Sequence, residues 1–444
     1  MRMKEFIAPD SIAIIGASGH PKKLGYRLVR NLIDSGYRGR IVPINPKGGR
    51  ICGIKAYPNI IEASKEGKID LAIIVVKADI VPQVLEEVGK AGTRHAVIIT
   101  SGFEESGRYD LVEKVKEVAK KYGIRIIGPN CAGIINTLHD MNASFIAYPP
   151  RGPVSVISQS GALGASLVYH MLHTGMGMTA FFSIGNMLDV GFEDLLSDVA
   201  EISGAVGLYV EGIKDGRKFY ESLLEARKKS PIVALKAGRT KAGMRAASSH
   251  TGSLASSWEI VRGMFRQARV PIVDEVYELG EVANFLAKSR ERAKNKIKYI
   301  GILTNAGGGS VLSADFSESY GIVVPELDID VELPRFASRK NPIDVTAMGK
   351  YDEFYRVVEA LEDDHRIDAI LVINVVPTFL LTTPLEHARA VVDAYRGKKP
   401  IAAVWLTGSI AEPGRKYLEA HGIPTFSDIR TAIKGFGAYN IAFF

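Results

Sequence analysis

Short, continuously apolar runs recur along the chain, and stretches with helical spacing separate them. Ser11-Ile12-Ala13-Ile14-Ile15 ends at Gly16, and a helix pattern follows over 24–35. The runs Ile41-Val42-Pro43-Ile44, Leu71-Ala72-Ile73-Ile74-Val75-Val76 and Ala96-Val97-Ile98-Ile99 come next, with an amphipathic stretch over 81–91 between the last two. A further run, 124–127, closes this block. Strands that are apolar at every position, not at alternate ones, are buried on both faces, so they predict a parallel sheet covered by helices. The scheme returns twice, at 154–157, 205–210 and 232–235, and again at 299–303, 367–375 and 401–406. Turn formers at Tyr148-Pro149-Pro150-Arg151-Gly152-Pro153 and a charged stretch at 290–298 separate the blocks. The expected fold is α/β: an N-terminal Rossmann-like domain over 1–147, then two flavodoxin-like doubly wound domains over 148–292 and 293–444. The blocks share a scheme and no strict repeat.

Length and composition agree with this organisation. The 444 residues fit about three domains at roughly 100–200 residues each. Hydrophobic residues make up 46% and charged residues 24%, enough to bury a sizeable core. No apolar run reaches the roughly 18–20 residues of a membrane span, and the first residues carry no apolar signal region, so a cytoplasmic protein is expected. Cys52 and Cys131 form no CxxC pair, which argues against a zinc site or a disulfide framework and for a reducing compartment. The net charge of +7 raises nucleic-acid binding as a class. The basic residues are interleaved with acids, however, as in Glu291-Arg292-Ala293-Lys294, which suits small polyanions better than a nucleic acid. Only three glutamines occur, and with many Lys and Glu this hints at a thermophile.

Two places carry candidate chemistry. The first is the turn Gly16-Ala17-Ser18-Gly19-His20-Pro21-Lys22-Lys23-Leu24-Gly25, where glycines let backbone amides approach a phosphate ahead of a helix. It is not GxGxxG. In Val42-Pro43-Ile44-Asn45-Pro46-Lys47-Gly48-Gly49, Lys47 stands where NAD-binding folds place an acid for the ribose. It is either a plain surface lysine or the partner of an extra ribose phosphate, as in NADP or coenzyme A.

The second place is in the middle block. Ser158-Gln159-Ser160-Gly161-Ala162-Leu163 reads as strand, turn and helix start, with Ser160 as N-cap. The amides of Gly161 and Ala162 are then either a capped helix end or an anion site. Glu211 ends the run 205–210 at the ligand-binding edge of a parallel sheet, where it is either a functional carboxylate or a solvated acid of a strand-to-helix loop. Residues 236–255 are rich in Gly, Ala and Ser and nearly free of large apolar side chains, which predicts a long loop, either functional or disordered. It holds His250, with Arg239, Lys241 and Arg245 upstream. Histidine titrates near neutrality, so it serves both as nucleophile and as phosphoryl donor. The third block adds a Gly-rich turn, Thr304-Asn305-Ala306-Gly307-Gly308-Gly309-Ser310, and the polar motif Lys340-Asn341-Pro342-Ile343-Asp344. No P-loop occurs.

These motifs, in this order, resemble the succinyl-CoA synthetase superfamily. Asn45-Pro46-Lys47-Gly48-Gly49, Ile99-Thr100-Ser101-Gly102-Phe103 and Gly128-Pro129-Asn130-Cys131-Ala132-Gly133 are similar to its CoA-binding domain. The segment Ser158 to Gly161, Glu211 at a strand end and His250-Thr251-Gly252 follow its phosphohistidine order. The wording Ser249-His250-Thr251-Gly252-Ser253 is closer to the ADP-forming acetyl-CoA synthetases of archaea. The resemblance covers essentially the whole chain. It implies a coenzyme A site lined by Gly16, Ser18, Lys23, Gly25, Lys47, Val76, Lys77, Ser101 and Gly102, with Asn130 and Cys131 toward the thioester and Glu104 at an offset. It implies phosphate binding at Ser160, Gly161 and Ala162. His250 would be phosphorylated at Nε2 while Glu211 accepts a hydrogen bond from Nδ1. ADP or ATP with Mg2+ would bind a separate ATP-grasp β subunit in an α2β2 assembly. Acetate is the favoured acid, and no metal is expected on this chain. The rivals are a CoA-binding regulatory protein without catalysis and an NADP-dependent oxidoreductase.

Overall fold

The computed structural model describes residues 3–251, 257–377 and 383–444. They fall into two compact units: Met1–Tyr169, Met178–Ser230 and Ala234–Ala268 form one, and His170–Gly177, Pro231–Val233 and Arg269–Phe444 form the other.

In the first unit, the strands Ser11–Ile15, Arg40–Ile44, Leu71–Ile74, His95–Ile98 and Arg125–Ile127 lie in the order second, first, third, fourth, fifth. All four pairings are parallel. Ser11–Ile15 and Leu71–Ile74 are buried at every position, as their unbroken apolar runs require. The helices Leu24–Asp34, Val81–Lys90 and Tyr109–Tyr122 turn Leu28 and Leu32, Leu85 and Val88, and Val112 and Val115 inward. Strand order reverses after Ser11–Ile15, and ligands bind parallel sheets at the carboxyl end of such a switch point.

The second sheet sets Arg151–Ser158 between Met178–Ser183 and Ala205–Val210, parallel to both, with Ile232–Lys236 next to Ala205–Val210. The strand therefore begins inside the stretch read as a linker. A hairpin, Gly133–Asn136 and Met141–Ser144, joins this sheet antiparallel to Met178–Ser183. It lies before the expected boundary at 148, yet its buried Ile134 and Ile135 stand opposite Phe182 and Phe181. Apolar cross-strand pairing draws the segment to the second sheet. On that sheet's face, Phe192 of Phe192–Ile202 packs 5.3 Å from Phe219 of Gly216–Ala226, and Phe219 lies 6.2 Å from Phe265.

The other unit repeats the reversed order. Ile300–Thr304 lies between Ile343–Asp344 and Ala369–Val375, followed by Ile401–Leu406 and Thr425–Phe426. Helices Val276–Ser289 and Ile429–Phe443 meet through Phe285 and Phe436, with ring centroids 5.5 Å apart. The nearly buried Lys434 ammonium is held by Asp274 at 2.7 Å and Glu278 at 2.8 Å. Asn341 has a structural task here: its side chain donates to Ile300 O and Pro325 O at 3.0 and 3.1 Å and accepts from Ile302 N at 2.9 Å. It staples a loop to the first strand of the sheet.

Candidate functional site

The residues expected around a phosphate-rich ligand converge at the carboxyl ends of the first sheet. Gly16 has a φ of +98°, and a Cβ there would stand 2.4 Å from Val75 O. At Gly25 a Cβ would stand 2.0 Å from Gly16 O, so only glycine lets the helix Leu24–Asp34 start against the turn. Asn45 Nδ2 donates to Ala17 O at 2.8 Å and its Oδ1 accepts from Lys47 N at 2.9 Å, which ties the Lys47 turn to the glycine turn. Thr100 Oγ1 donates to Val76 O at 2.7 Å and so joins the Val76-Lys77 and Ser101-Gly102 turns. Ser18 accepts from His20 N at 3.1 Å. Lys22, Lys23, Lys47 and Lys77 are exposed around this edge, and nothing stands within 4 Å of a Cβ built on Gly19. An open glycine cradle ringed by cations fits a polyphosphate such as coenzyme A.

Asn130 continues this edge. It follows Pro129 with a φ of +58°, its N donates to Thr100 O at 2.9 Å, and its side chain donates to Asn186 Oδ1 at 3.3 Å. Cys131 is buried, its Sγ donates to Ile98 O at 3.3 Å, and burial pushes its thiol up to about 12. A thiol this far from ionisation is a packed side chain and not a nucleophile.

The phosphoryl residues gather at the carboxyl ends of the second sheet. Ser160 caps the helix Gly161–Thr174, its Oγ accepting from Leu163 N at 3.2 Å. A Cβ on Gly161 would lie 3.3 Å from Ala132 Cβ, and Ala132 N donates to Ser183 Oγ at 2.9 Å. The helix start and the Asn130 turn are therefore neighbours. Gln159 Oε1 accepts from Glu211 N at 2.5 Å and Gly212 N at 3.0 Å, which fixes the end of Ala205–Val210 against the start of that helix. Beside the half-buried Glu211, the Tyr209 hydroxyl is pushed up to about 12 by burial and then by the Glu211 charge.

Sequence reasoning passed over Lys236. Its side chain is buried, and its ammonium donates to Glu211 O at 2.7 Å and to Ala237 O. Burial lowers its pKa to about 8, with Glu211 opposing and Arg239 adding to the shift. Only its place at the end of an apolar strand, Ile232-Val233-Ala234-Leu235-Lys236, marked it in the sequence. Arg239 donates from Nε to Lys236 O at 2.8 Å and stacks 4.7 Å above the Trp258 ring.

The segment read as a long loop is in part a helix, Lys241–Thr251. Thr240 starts it, accepting from Gly243 N at 3.1 Å through Oγ1 and from Met244 N at 2.8 Å through its carbonyl. Small side chains tell against core packing, but Ala, Lys, Arg and Met are good helix formers, and backbone preference won. This helix lies within 8 Å, Cα to Cα, of the 3-10 turn Glu104–Ser106 beside the Ser101-Gly102 turn. His250 belongs to the helix, but its side chain, like residues 252–256, lies outside the described residues. Glu105, not Glu104, reaches into the site: its Oε1 accepts from Gly102 N at 2.6 Å and Phe103 N at 3.2 Å, and its Oε2 accepts from Asn186 Nδ2 at 2.7 Å. Among the described residues no helix is long and apolar enough to cross a membrane.

Comparison with known proteins gives consistent matches. Residues 10–137 match the CoA binding domain family, and residues 151–286 match the succinyl-CoA ligase like flavodoxin domain family. The chain is 41% identical over 435 residues to the acetate–CoA ligase [ADP-forming] II subunit alpha of Pyrococcus furiosus, covering 95% of this chain and 93% of that one. It is 37% identical to the corresponding I subunit alpha of the same organism, covering 99% of this chain and 97% of that one. Among solved structures, the acetyl-coenzyme A synthetase 1 of Ca. Korarchaeum cryptofilum in complex with phosphate and ADP superposes with a TM-score of 0.88 at 33% identity. That match covers 100% of this chain and 97% of the other.

Proposed function

The chain belongs to the ADP-forming acetate–CoA ligase α-subunit family, and we propose that it carries a phosphoryl group on His250 between an acyl phosphate and ADP. Phosphate attacks the thioester carbonyl, the C–S bond breaks, and acyl phosphate and coenzyme A result. His250 Nε2 attacks phosphorus, the P–O bond to the acyl group breaks, and the carboxylate leaves. The phosphoryl group then passes from nitrogen to ADP, giving ATP and free histidine. The acid is acetate.

The chain's own residues supply binding and charge. Gly16, Ser18, Lys23, Gly25, Lys47, Val76, Lys77, Ser101 and Gly102 hold coenzyme A, with Asn130 at the thioester end. The start of helix Gly161–Thr174, at Ser160, Gly161 and Ala162, takes the anion on backbone amides that have no partner within the helix. Glu211 accepts a hydrogen bond from Nδ1–H, which leaves Nε2 as nucleophile and stabilises positive charge on the ring during transfer. The nucleotide, with Mg2+, is held by a separate ATP-grasp β subunit in an α2β2 assembly in the cytoplasm. The division into 1–147, 148–292 and 293–444 then separates coenzyme binding, the phosphohistidine segment and a third domain, except that the hairpin Gly133–Asn136 and Met141–Ser144 goes with the second sheet.

One observation carries the reading: the Gly161 helix start neighbours the Asn130 turn, and Gln159 fixes Glu211 beside it. Phosphate chemistry and thioester chemistry thus share one edge of one unit. The test is labelling by radiolabelled phosphate and acetyl-CoA, with the nucleotide-binding partner added, for wild type and His250→Ala. Acid-labile, base-stable label that disappears in the variant is expected. Label that survives in His250→Ala would move the site. No label from any acyl-CoA would leave a CoA-binding regulatory protein.

A further inference from the structure

We infer that Glu105 is a positioning residue for the acyl half of this reaction, tying the coenzyme-lining turn to Asn130 through Asn186. The inference rests on the proposed function and concerns residues to which that proposal gives no role. Glu105 commits both carboxylate oxygens to the site's framework. Oε1 accepts from Gly102 N at 2.6 Å and Phe103 N at 3.2 Å, so it fixes the turn that lines the coenzyme. Oε2 accepts from Asn186 Nδ2 at 2.7 Å, and Asn186 Oδ1 accepts from Asn130 Nδ2 at 3.3 Å. The path therefore runs from the first sheet to a loop of the second sheet and back to the thioester end.

The Asn186 loop is itself rigid. Asn186 N donates to Pro129 O at 3.0 Å, Leu188 N to Gly128 O at 2.8 Å and Ile184 N to Ser158 O at 2.9 Å. Lys214 Nζ donates to Met187 O. Gly185, with φ of +52°, brings its Cα so close to Pro129 that a Cβ would stand 2.3 Å from the Pro129 carbonyl oxygen. A loop zippered this way transmits position. Beyond Asn130, Ala132 lies against Gly161, so the path ends at the anion-binding helix start. The 3-10 turn holding Glu105 also flanks the helix that bears His250. Burial works against the Glu105 charge, but the Gly102 amide and then Asn186 outweigh it and hold the carboxyl below its usual range. The carboxylate is therefore present at neutral pH, when these bonds are charge-assisted and strong.

The bond between Glu105 and Asn186 can be reversed without emptying it. In E105Q/N186D, the introduced glutamine still accepts from the two amides through its oxygen and donates to the introduced aspartate, which still accepts from Asn130. The test uses the whole chain with its nucleotide-binding partner and reads two half-reactions: labelling driven by acetyl-CoA and phosphate, and labelling driven by radiolabelled ATP. Loss of one charge-assisted bond predicts that E105Q and N186D each slow the acetyl-CoA half-reaction about tenfold or more. The KM for acetyl-CoA should rise and the ATP half-reaction should stay within about twofold. The double variant should return to within about threefold of wild type. Single variants at the wild-type rate, an equal loss in both half-reactions, or a double variant no better than the worse single would each overturn the inference. Failure of wild type itself to label from acetyl-CoA would instead sink the proposed function, and the inference with it.

Discussion

Replacing Lys236 by methionine tests how a buried ammonium is held at the end of a strand of the second sheet. Methionine keeps most of the volume and removes the charge and both hydrogen bonds, to Glu211 O and Ala237 O. Two terms oppose each other. The ordinary lysine value of 10.5 falls to about 8 because the folded protein disfavours the buried charge. At about 1.4 kcal/mol per pH unit, this gap corresponds to roughly 3 kcal/mol against the charged form. Below pH 8 the folded and unfolded chains are both protonated and the wild type bears this cost in full. Between about pH 8 and 10.5 the unfolded chain binds more protons, so wild-type stability from this group rises with pH. The variant escapes the cost but leaves two carbonyls short of a donor, at about 1–3 kcal/mol each. The two proteins should thus be close in stability at pH 7. Near pH 10.5 the Lys236→Met protein should be less stable by roughly 3 kcal/mol more than at pH 7. Chemical denaturation of both proteins at several pH values between these limits measures the difference directly, and other titrating groups cancel. Parallel stability curves would refute the reasoning, because they would mean that the ammonium is solvated or carries a full counter-charge.

Three further outcomes follow from the site. Glu211→Gln keeps an acceptor oxygen but removes the negative charge that, on the proposed reading, stabilises the ring during transfer, so phosphorylation of His250 should slow by about 100-fold or more; rapid-quench labelling reads this. Gly25→Ala drives a methyl group to 2.0 Å from Gly16 O, so calorimetric coenzyme A affinity should fall at least tenfold, by roughly 1.4 kcal/mol. Ser160→Ala should lower stability by about 1 kcal/mol through the lost cap on Leu163 N, while Ser160→Gly should cost only a few tenths; thermal melts distinguish them.

Much of this protein is local in origin and so was legible in its sequence. Unbroken apolar runs such as Ser11–Ile15 and Leu71–Ile74 could only be strands covered on both sides, and they are buried throughout. The Ser160 cap and the Gly16 turn are short-range devices fixed by a hydroxyl three residues from its donor and by a backbone angle open to glycine. The order of the motifs named the family before any distance was known. Within the segment 236–255, the sequence reading passes over the helix Lys241–Thr251, because small side chains report the absence of a core face and say nothing against a helix, which Thr240 and the following Lys, Ala, Met and Arg favour.

The tertiary structure decided which distant groups meet. Glu105 and Asn186 are 81 positions apart, and Asn186 and Asn130 are 56 apart. Neither pair shares a periodicity, and a carboxylate beside Glu104 gives no sign that it, and not its neighbour, turns toward Gly102. In the sequence Lys236 is one more polar residue of the segment 236–255, and only the packing of its strand beside Ala205–Val210 buries its ammonium against the Glu211 carbonyl. The hairpin Gly133–Asn136 and Met141–Ser144 likewise joined the second sheet because Phe181 and Phe182 offered it apolar partners. Sequence fixes what the backbone does over a few residues. Where long chains of contact close is settled by packing, because the free energy of a buried polar group depends on partners that the local sequence does not contain.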